Sequence, residues 1–419
     1  MNPNNIINRL VFSLLPIIIF ATLTNGQDPV LTINEAVESA YEKNSTLQQM
    51  RSVLKQEEQS WRMETGIGSP EISYFREGIQ KGPEDLFDEQ RIAISQEIDF
   101  PLTTMYRLKA VKQSVLSLEF RVQALERQIK TEVKSNYIEV IYALYLQESR
   151  QRQMEISTDL YNAVYTRYEI GMATGVDLTN AELQMEQAKN DLDESEWILH
   201  KARYALFYTM GLPEEEQLYT IEFSDTLRAE NIEISQIQSL QLKEEQPEYR
   251  SVEHELSAAQ YTLREAKSNM LPDIRLSLYK QDFGEGYNYR GFEVGLSIPL
   301  WYPLEQKGKV RKAAERIEEI GWKQNEVSLD MKKQIEYAWH NYSVSRNIIQ
   351  RYNETMKDKA ASLRRMALRS YQLGEIDLLN LLNAQQTYID SEQRYLGALR
   401  DYFLQLVALE KYMDRDLVY

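Results

Sequence analysis

The sequence predicts a mainly α-helical protein with a small β part, built from a duplicated helix-strand-strand-long helix-helix unit. The duplication is visible in turn-forming motifs that recur along the chain. Pro70-Glu71-Ile72 returns 202 positions later as Pro272-Asp273-Ile274, and Tyr168-x-x-Gly171 returns 203 positions later as Tyr371-x-x-Gly374. Two copies with one slipped residue indicate a duplicated supersecondary unit, and so long a period excludes short-repeat solenoids.

The composition indicates long elements and excludes several kinds of site. Only 16 glycines and 11 prolines occur in 419 residues, so the elements between breaks must be long. There is no cysteine, which excludes disulfides, zinc-thiolate sites and a lipid anchor on cysteine. The net charge of −16 argues against nucleic acid as a partner, because phosphates attract basic surfaces.

We interpret residues 1–26 as a signal peptide, with the mature chain starting near Gln27. Arg9 supplies a positive n-region, Leu10 to Leu23 is apolar, and Thr24-Asn25-Gly26 offers small residues before Gln27. The alternative is an uncleaved anchor, but the apolar run is shorter than the roughly 20 residues that a spanning helix needs. Because no later stretch is an uninterrupted apolar 20-mer, we expect any insertion into a membrane to use β-strands.

The first copy, residues 27–211, opens with a helix and two strands. Thr32 and Glu35 match a capping box, so we expect a helix of about 30 residues after Thr32. Apolar residues then alternate with polar ones at about 70–78 and 91–98, which predicts two amphipathic strands. The turn-forming residues between these segments indicate a hairpin with an exposed loop.

A very long helix follows the hairpin. No proline or glycine interrupts Leu102 to Ile170, and this length of helix extends for about 100 Å. The residues of one apolar seam step by four, three and four, as in a coiled coil: Leu118, Val122, Leu125 and Ile129. Gly171 suits the exit from the helix, and we expect a second helix to return over Asp177–Met210.

The second copy, residues 247–419, repeats this order after a linker at 212–246. Alternation predicts strands at about 272–280 and 292–300. A long helix is expected from Leu304 to Leu373 and a return helix over Asp377–Met413. The linker is acidic and of mixed pattern, and we expect it to form a small equatorial collar around the helices.

The four strands point to an assembly of several chains. An open sheet with one apolar face is unstable in lipid, because each unpaired backbone group in hydrocarbon costs several kcal/mol. We therefore expect other copies of the chain to pair the edge strands, and two, three or four copies give strand numbers known for outer-membrane barrels. The polar faces then surround a lumen that the long helices continue, which predicts a conduit.

Three segments of the chain carry a family resemblance. They begin at Leu31 (LTINEAV), at Leu296 (LSIPL) and at Tyr371 (YQLGEIDLLNLLNAQ). In sequence and in order they resemble the TolC-family outer membrane efflux proteins, and the resemblance covers nearly the whole mature chain. It implies a trimeric 12-stranded outer-membrane β-barrel, continued by a periplasmic α-helical coiled-coil tunnel.

The resemblance also implies partners and a role. It implies a homotrimer in outer-membrane lipid, coupled through a periplasmic adaptor to an inner-membrane pump of the RND or ABC type. The channel itself is then a passive exit duct for small molecules, drugs or metal ions. Two alternatives remain: a type I protein secretion channel, and a structural periplasmic coiled-coil protein, against which the apolar strand faces count.

The resemblance places the periplasmic gate and the adaptor contact at the two helix-turn-helix tips. The corresponding residues are Tyr168, Gly171, Asp177 and Asn180 in the first copy and Tyr371, Gly374, Asp377, Asn380 and Asn383 in the second. Many family members have aspartates where this chain has Asn380 and Asn383, which argues against a strongly acidic constriction. Asp377 is an alternative source of charge.

Simpler interpretations exist for some of these residues. Asp177 and Asp377 suit helix capping as well as gating, and one carboxylate can do both. Arg167 and Arg369 are included because of their location, although a solvated cation near a helix C-terminus is equally expected. Trp301 and Tyr302, just past the last strand, are candidates for an aromatic girdle at the membrane interface.

The sequence shows no sign of an enzyme. Its three histidines, His200, His254 and His340, have no spacing typical of metal ligands. There is no glycine-rich phosphate loop, no nucleophile elbow and no His-Glu-x-x-His motif. We therefore expect no catalytic residue, no metal site and no cofactor.

Overall fold

The computed structural model describes residues 30–79, 87–213, 216–224, 227–229, 245–284, 286, 288–298, 305–413 and 416–419. The expected signal peptide and the candidate girdle residues Trp301 and Tyr302 lie outside these ranges, and the linker is described only in part. Among the described residues, no helix combines the length and the apolar character that crossing a membrane requires.

The first helical segment is divided in two: α1 (Ile33–Lys43) and α2 (Ser45–Ser60). Thr32 and Glu35 form the expected capping box, but the prediction of one helix of about 30 residues is wrong. Asn44 leaves the helix with ψ 118°, and its side chain accepts a hydrogen bond from the Leu47 N–H at 3.1 Å. The backbone at Gly211 packs closely against the backbone at Lys43, because a Cβ placed on Gly211 would lie 2.4 Å from the Lys43 carbonyl oxygen.

The rest of the first copy forms a hairpin and a pair of long helices. β2 (Glu71–Glu77) pairs antiparallel with β3 (Glu89–Ile98), where the sequence predicts strands at 70–78 and 91–98. α3 (Pro101–Glu169) is an uninterrupted helix of 69 residues, about 100 Å long. α4 (Gly175–Met210) returns along α3 and ends at Gly211, whose left-handed φ of 73° favours glycine.

The described part of the linker joins the two ends of the first copy. It contains a 3₁₀ turn (Glu216–Thr220) and β4 (Glu222–Phe223), which pairs parallel with β1 (Val30–Leu31). The Tyr137 hydroxyl on α3 donates a hydrogen bond to the Leu31 carbonyl oxygen at 2.7 Å. This small sheet therefore packs against the middle of α3.

The second copy repeats the element order of the first. Its elements are α5 (Pro247–Ser268), β5 (Asp273–Asp282), β6 (Asn288–Ser297), α6 (Gln306–Arg351), a π-helical turn (Tyr352–Met356), α7 (Lys357–Leu373) and α8 (Leu378–Glu410). The duplicated, mainly helical fold that the sequence predicts is thus present. The second long helix differs from the first in its π turn, which the sequence analysis does not predict.

The two hairpins join into one sheet with two chemically different faces. The strand order is β2-β3-β5-β6, so β2 and β6 are its edges. One row in register across all four strands is Ile72, Ile94, Leu278 and Phe292, and these side chains are exposed. The adjacent row, on the opposite face, is Glu71, Ser95, Ser277 and Glu293. We call these the outer face and the inner face of the sheet.

The apolar core consists of separate clusters spaced along the helices. The larger apolar cluster lies where α1, α3, α4, α6 and α8 meet, and its fully buried members include Tyr137, Tyr342, Leu406 and Leu409. A smaller cluster lies far along the long helices, at the turns between α3 and α4 and between α7 and α8. The long helices are therefore anchored at their middle and again at their tips.

Candidate functional site

The two long helices end in turns of the same construction. The Gly171 N–H donates to the Tyr168 carbonyl oxygen at 2.9 Å, and the Gly374 N–H donates to the Tyr371 carbonyl oxygen at 3.0 Å. Both glycines have left-handed backbones, with φ of 74° and 80°. Because other residues rarely adopt this conformation, the Tyr-x-x-Gly motif explains why each helix stops where it does.

Aspartates begin both return helices, in two different arrangements. Thr174 is the N-cap of α4, and Asp177 completes a capping box by accepting hydrogen bonds from the Thr174 N–H at 2.9 Å and the Thr174 hydroxyl at 2.8 Å. Asp377 is itself the N-cap of α8, and its Oδ1 accepts from the backbone N–H of Asn380 at 2.9 Å and from the Asn380 side chain at 2.8 Å. Both carboxylates therefore have a capping role, and gating by either remains a prediction.

Arg167 joins the tip of the first copy to that of the second. Its guanidinium donates a hydrogen bond to the Tyr371 carbonyl oxygen, and its central carbon lies 4.7 Å from the centroid of the Tyr371 ring. Tyr371 is 3% exposed, and burial raises the pKa of its hydroxyl although the Arg167 charge opposes the rise. Arg167 is thus not simply a solvated cation, whereas Arg369 is exposed, as that interpretation expects.

Apolar packing supports this link. The buried residues around it come from all four helices of the two tips: Leu160, Val164, Ala181, Ala367, Tyr371, Leu378, Leu381 and Ala384. Gly374 also lies close, since a Cβ placed on it would be 3.6 Å from an Arg167 guanidinium nitrogen. The structure therefore brings together Arg167, Tyr371 and Gly374, three of the residues that the sequence analysis singles out.

The other candidate residues face solvent. Tyr168, Gly171, Asn180, Asn380 and Asn383 are exposed. An apolar set beside them is not among the residues predicted from the sequence. We call it the tip patch, and its side chains are between 58% and 70% exposed: Ile170, Met172, Val176, Leu373 and Leu379. A signal for them exists in the sequence, because large apolar residues occur within and next to two otherwise polar turns.

The described residues offer no metal centre. No group of three or more histidine, aspartate or glutamate side chains within them is placed to hold a metal ion. His254 has a structural environment, since its ring stacks on Phe120 at 5.3 Å and its Nδ1 lies 2.8 Å from the Gln113 side-chain oxygen. His200 likewise stacks on Tyr219 at 5.0 Å.

Comparisons with known proteins agree with this architecture. The sequence model of the family described as outer membrane efflux protein matches residues 239–414. The cobalt-zinc-cadmium resistance protein CzcC of Cupriavidus metallidurans is 22% identical over 298 residues, which are 70% of this chain and 70% of that protein. The alkaline protease secretion protein AprF of Pseudomonas aeruginosa is 25% identical over 178 residues, 40% of this chain and 36% of that protein.

The similarity of fold extends over most of the chain. The outer membrane protein VceC of Vibrio cholerae matches with a TM-score of 0.78 at 16% sequence identity, covering 91% of this chain and 95% of that one. The fold that the sequence motifs indicate is thereby confirmed. By sequence, residues 239–414 match the outer membrane efflux protein family, and by fold 91% of the chain is similar to VceC.

Proposed function

We propose that this chain is the passive outer-membrane exit duct of a tripartite efflux system. The observation that carries the proposal is the different chemistry of the two ends of the molecule. One end has a sheet with an exposed apolar face, and the other has solvent-exposed tips about 100 Å away along α3. The family that matches residues 239–414 is described as outer membrane efflux protein, and the similar fold of VceC is that of an outer membrane protein.

We further propose that three chains complete one barrel. The strands alternate in direction, so β6 of one copy and β2 of the next are antiparallel when they meet. Pairing these edges satisfies the backbone groups that lipid leaves without partners. The outer face then contacts lipid, while the row of Glu71, Ser95, Ser277 and Glu293 faces the lumen.

The tips are the proposed periplasmic mouth and adaptor contact. The tip patch supports the contact, because exposed apolar surfaces commonly mark protein interfaces. The link between Arg167 and Tyr371 supports a role in the mouth, since it holds the turn of one copy against the turn of the other. Asp177, Asn180, Asp377, Asn380 and Asn383 lie at the start of the return helices and would border the same opening.

The cargo depends on the pump to which the adaptor connects the channel. Similarity to a cobalt-zinc-cadmium resistance protein supports metal ions or other small molecules, and with them a pump of the RND type. Similarity to a protease secretion protein favours the second candidate function, type I protein secretion with an ABC exporter. The exposed apolar outer face argues against the third, a coiled-coil protein that never enters a membrane.

A pair of neighbouring substitutions tests the membrane placement. Leu278→Arg puts a charge on the outer face, which costs about 2–4 kcal/mol at the middle of a bilayer, whereas Ser277→Arg puts the same charge on the inner face. We expect Leu278→Arg to abolish recovery of the protein from outer membranes and its conductance in planar bilayers, and Ser277→Arg to retain both. Equal behaviour of the two variants would contradict the proposal.

The cargo is tested in a strain that lacks the gene. Complementation with the parent chain should restore resistance to cobalt, zinc and cadmium salts or to a panel of drugs. Restored secretion of a protein without any restored resistance would favour the type I alternative instead.

A further inference from the structure

Charge is divided between the two faces of the sheet. The inner face carries six acidic residues and two basic ones, which are Glu71, Glu77, Glu89, Glu97, Asp273, Glu293, Arg91 and Arg275. The outer face carries the cations Arg76, Lys280 and Arg290 and a single acid, Asp282. Although the chain has a net charge of −16, the charged residues on the apolar outer face are mostly cations.

All four outer-face charges occur in the two rows next to the hairpin loops. Lys280 and Arg290 belong to one row with Tyr74 and Ile92, and Arg76 and Asp282 belong to the next. The remaining rows of the outer face, towards the long helices, contain no charged residue. The cations therefore mark one border of an uncharged band.

Lys280 and Arg290 stand directly opposite each other on β5 and β6, and both are exposed. Like charges in such cross-strand positions destabilise a sheet. Neither residue takes part in an ion pair within the described part of the chain. Asp282, the single acid on the same face of the sheet, accepts a hydrogen bond from the Gly284 N–H at 2.9 Å. An anion bound between the two cations would offset their repulsion.

The position of this row identifies the anion. The hairpin loops lie at the end of the sheet opposite the long helices, so with the helices in the periplasm this row meets the outer leaflet. Tyr74 in the same row fits that border, because tyrosine is enriched where lipid meets water. Lysine and arginine are the side chains that bind phosphate, arginine through two parallel hydrogen bonds.

We propose that Lys280 and Arg290 bind a phosphate group of an outer-leaflet lipid, namely phosphorylated lipid A. The inference rests on the membrane placement in the proposed function. It adds a specific lipid contact on the outside of the barrel, made by residues that neither line the lumen nor touch the tips.

The test compares lipid binding by three proteins purified in detergent as the full chain. They are the parent, the Lys280→Gln/Arg290→Gln double variant, and Arg91→Gln, which removes a cation from the inner face of the same sheet. Each is titrated with lipid A carrying its phosphates and with dephosphorylated lipid A, and the bound lipid is counted by native mass spectrometry. We expect the double variant to bind phosphorylated lipid A about tenfold or more weakly than the parent, and Arg91→Gln to bind it as the parent does.

Three results would overturn the inference. They are equal affinity of the parent and the double variant, equal affinity of the parent for the two lipids, and full displacement of lipid A by inorganic phosphate at the same concentration. Planar-bilayer conductance separates this question from the proposed function. A parent that conducts but ignores the phosphates overturns only the lipid contact, whereas a parent that never conducts overturns the membrane placement as well.

Discussion

Arg167 and Tyr371 lie 204 positions apart, yet the guanidinium of the first donates to the carbonyl oxygen of the second and lies 4.7 Å from its ring centroid. A hydrogen bond from a charged group contributes about 1.5–3 kcal/mol, and a cation–π contact at a partly exposed site adds about 0.5–1 kcal/mol. This pair is therefore strong enough to decide whether the two tips stay together.

Replacing Arg167 with alanine should loosen both tips without unfolding the chain. We expect faster hydrogen exchange at residues 160–171 and 367–384, and a larger mean conductance in planar bilayers. Arg369→Ala is the matched control, because Arg369 is exposed on the last turns of α7. If the two variants change exchange equally, the contact with Tyr371 is not what holds the tips.

The two turn glycines allow backbone strain to be separated from disruption of this link. A side chain at either position meets the same left-handed backbone, which costs about 1–2 kcal/mol. At Gly171 nothing lies within 4 Å of an added Cβ, whereas at Gly374 an Arg167 nitrogen lies 3.6 Å away. Thermal unfolding should therefore show similar losses for Gly171→Val and Gly374→Val, and only Gly374→Val should raise the conductance as Arg167→Ala does. A rise in both would assign the effect to the turns themselves.

Asn383 and Asn180 test whether the return helices border the lumen. They occupy equivalent positions in the two copies, 203 residues apart, and both are exposed. If they line the mouth, replacing either with aspartate should increase block of the conductance by divalent cations, most strongly at low ionic strength because salt screens exposed charges. Unchanged block in one variant would remove that residue from the lumen.

Local sequence signals predicted the elements well, because their causes are local. The capping box of Thr32 and Glu35 and the exits at Gly171 and Gly374 each depend on a few neighbouring residues. The break at Asn44 was not predictable, since it coincides with the passage of Gly211 from the end of α4. Contacts between residues that are far apart in the sequence were not predictable either, because periodicity identifies the buried face of a helix but not the residue that packs against it.

Lys134 makes contacts of this kind with residues far along the chain, and these contacts lead to a prediction about stability. It is fully buried, and its Nζ donates to Glu410 at 2.6 Å, to Asp416 at 3.0 Å and to the Val418 carbonyl oxygen at 2.8 Å. Lys134→Met would leave Glu410 buried without this cation, at a cost of about 3–5 kcal/mol. Thermal unfolding measures the loss, and Lys189→Met, from an exposed ion pair with Glu186, should change stability by less than about 1 kcal/mol.

The stability that Lys134→Met loses should depend on pH in a defined direction. Burial raises the pKa of Glu410, and the hydrogen bond from Lys134 opposes that rise, so removing the lysine should raise this pKa further. A carboxyl group with a higher pKa in the folded state than in the unfolded state binds its proton preferentially when folded. The Lys134→Met variant should therefore lose more stability as the pH rises through the folded-state pKa. Stability that is lost equally at all pH values would show that Glu410 does not titrate there.

The one-residue difference in length between the two copies has a structural counterpart. The second copy has one residue more than the first between its proline and its Tyr-x-x-Gly turn, Pro303 to Tyr371 against Pro101 to Tyr168. The π turn Tyr352–Met356, where the Lys357 N–H donates to the Tyr352 carbonyl oxygen five residues back, holds one residue more than an α-helical turn. A buried stripe steps by seven, eight and seven across it, through Ser345, Tyr352, Ala360 and Ala367. We infer that the π turn takes up the extra residue.

Deleting Asn353 should therefore convert the π turn to α-helix and leave everything beyond it in phase. Each residue of an α-helix adds roughly 100° and 1.5 Å, so without such compensation Tyr371 would rotate away from Arg167. Asn353 is exposed, and the deletion variant should keep the parent's oligomeric state and melting temperature while hydrogen exchange at 352–356 slows. Deleting the exposed Asp159 from α3, which has no π turn to lose, should turn Leu160 and Val164 out of the tip cluster and lower the melting temperature. Equal damage from the two deletions, or none from either, would show that the π turn does not set the register of the second tip.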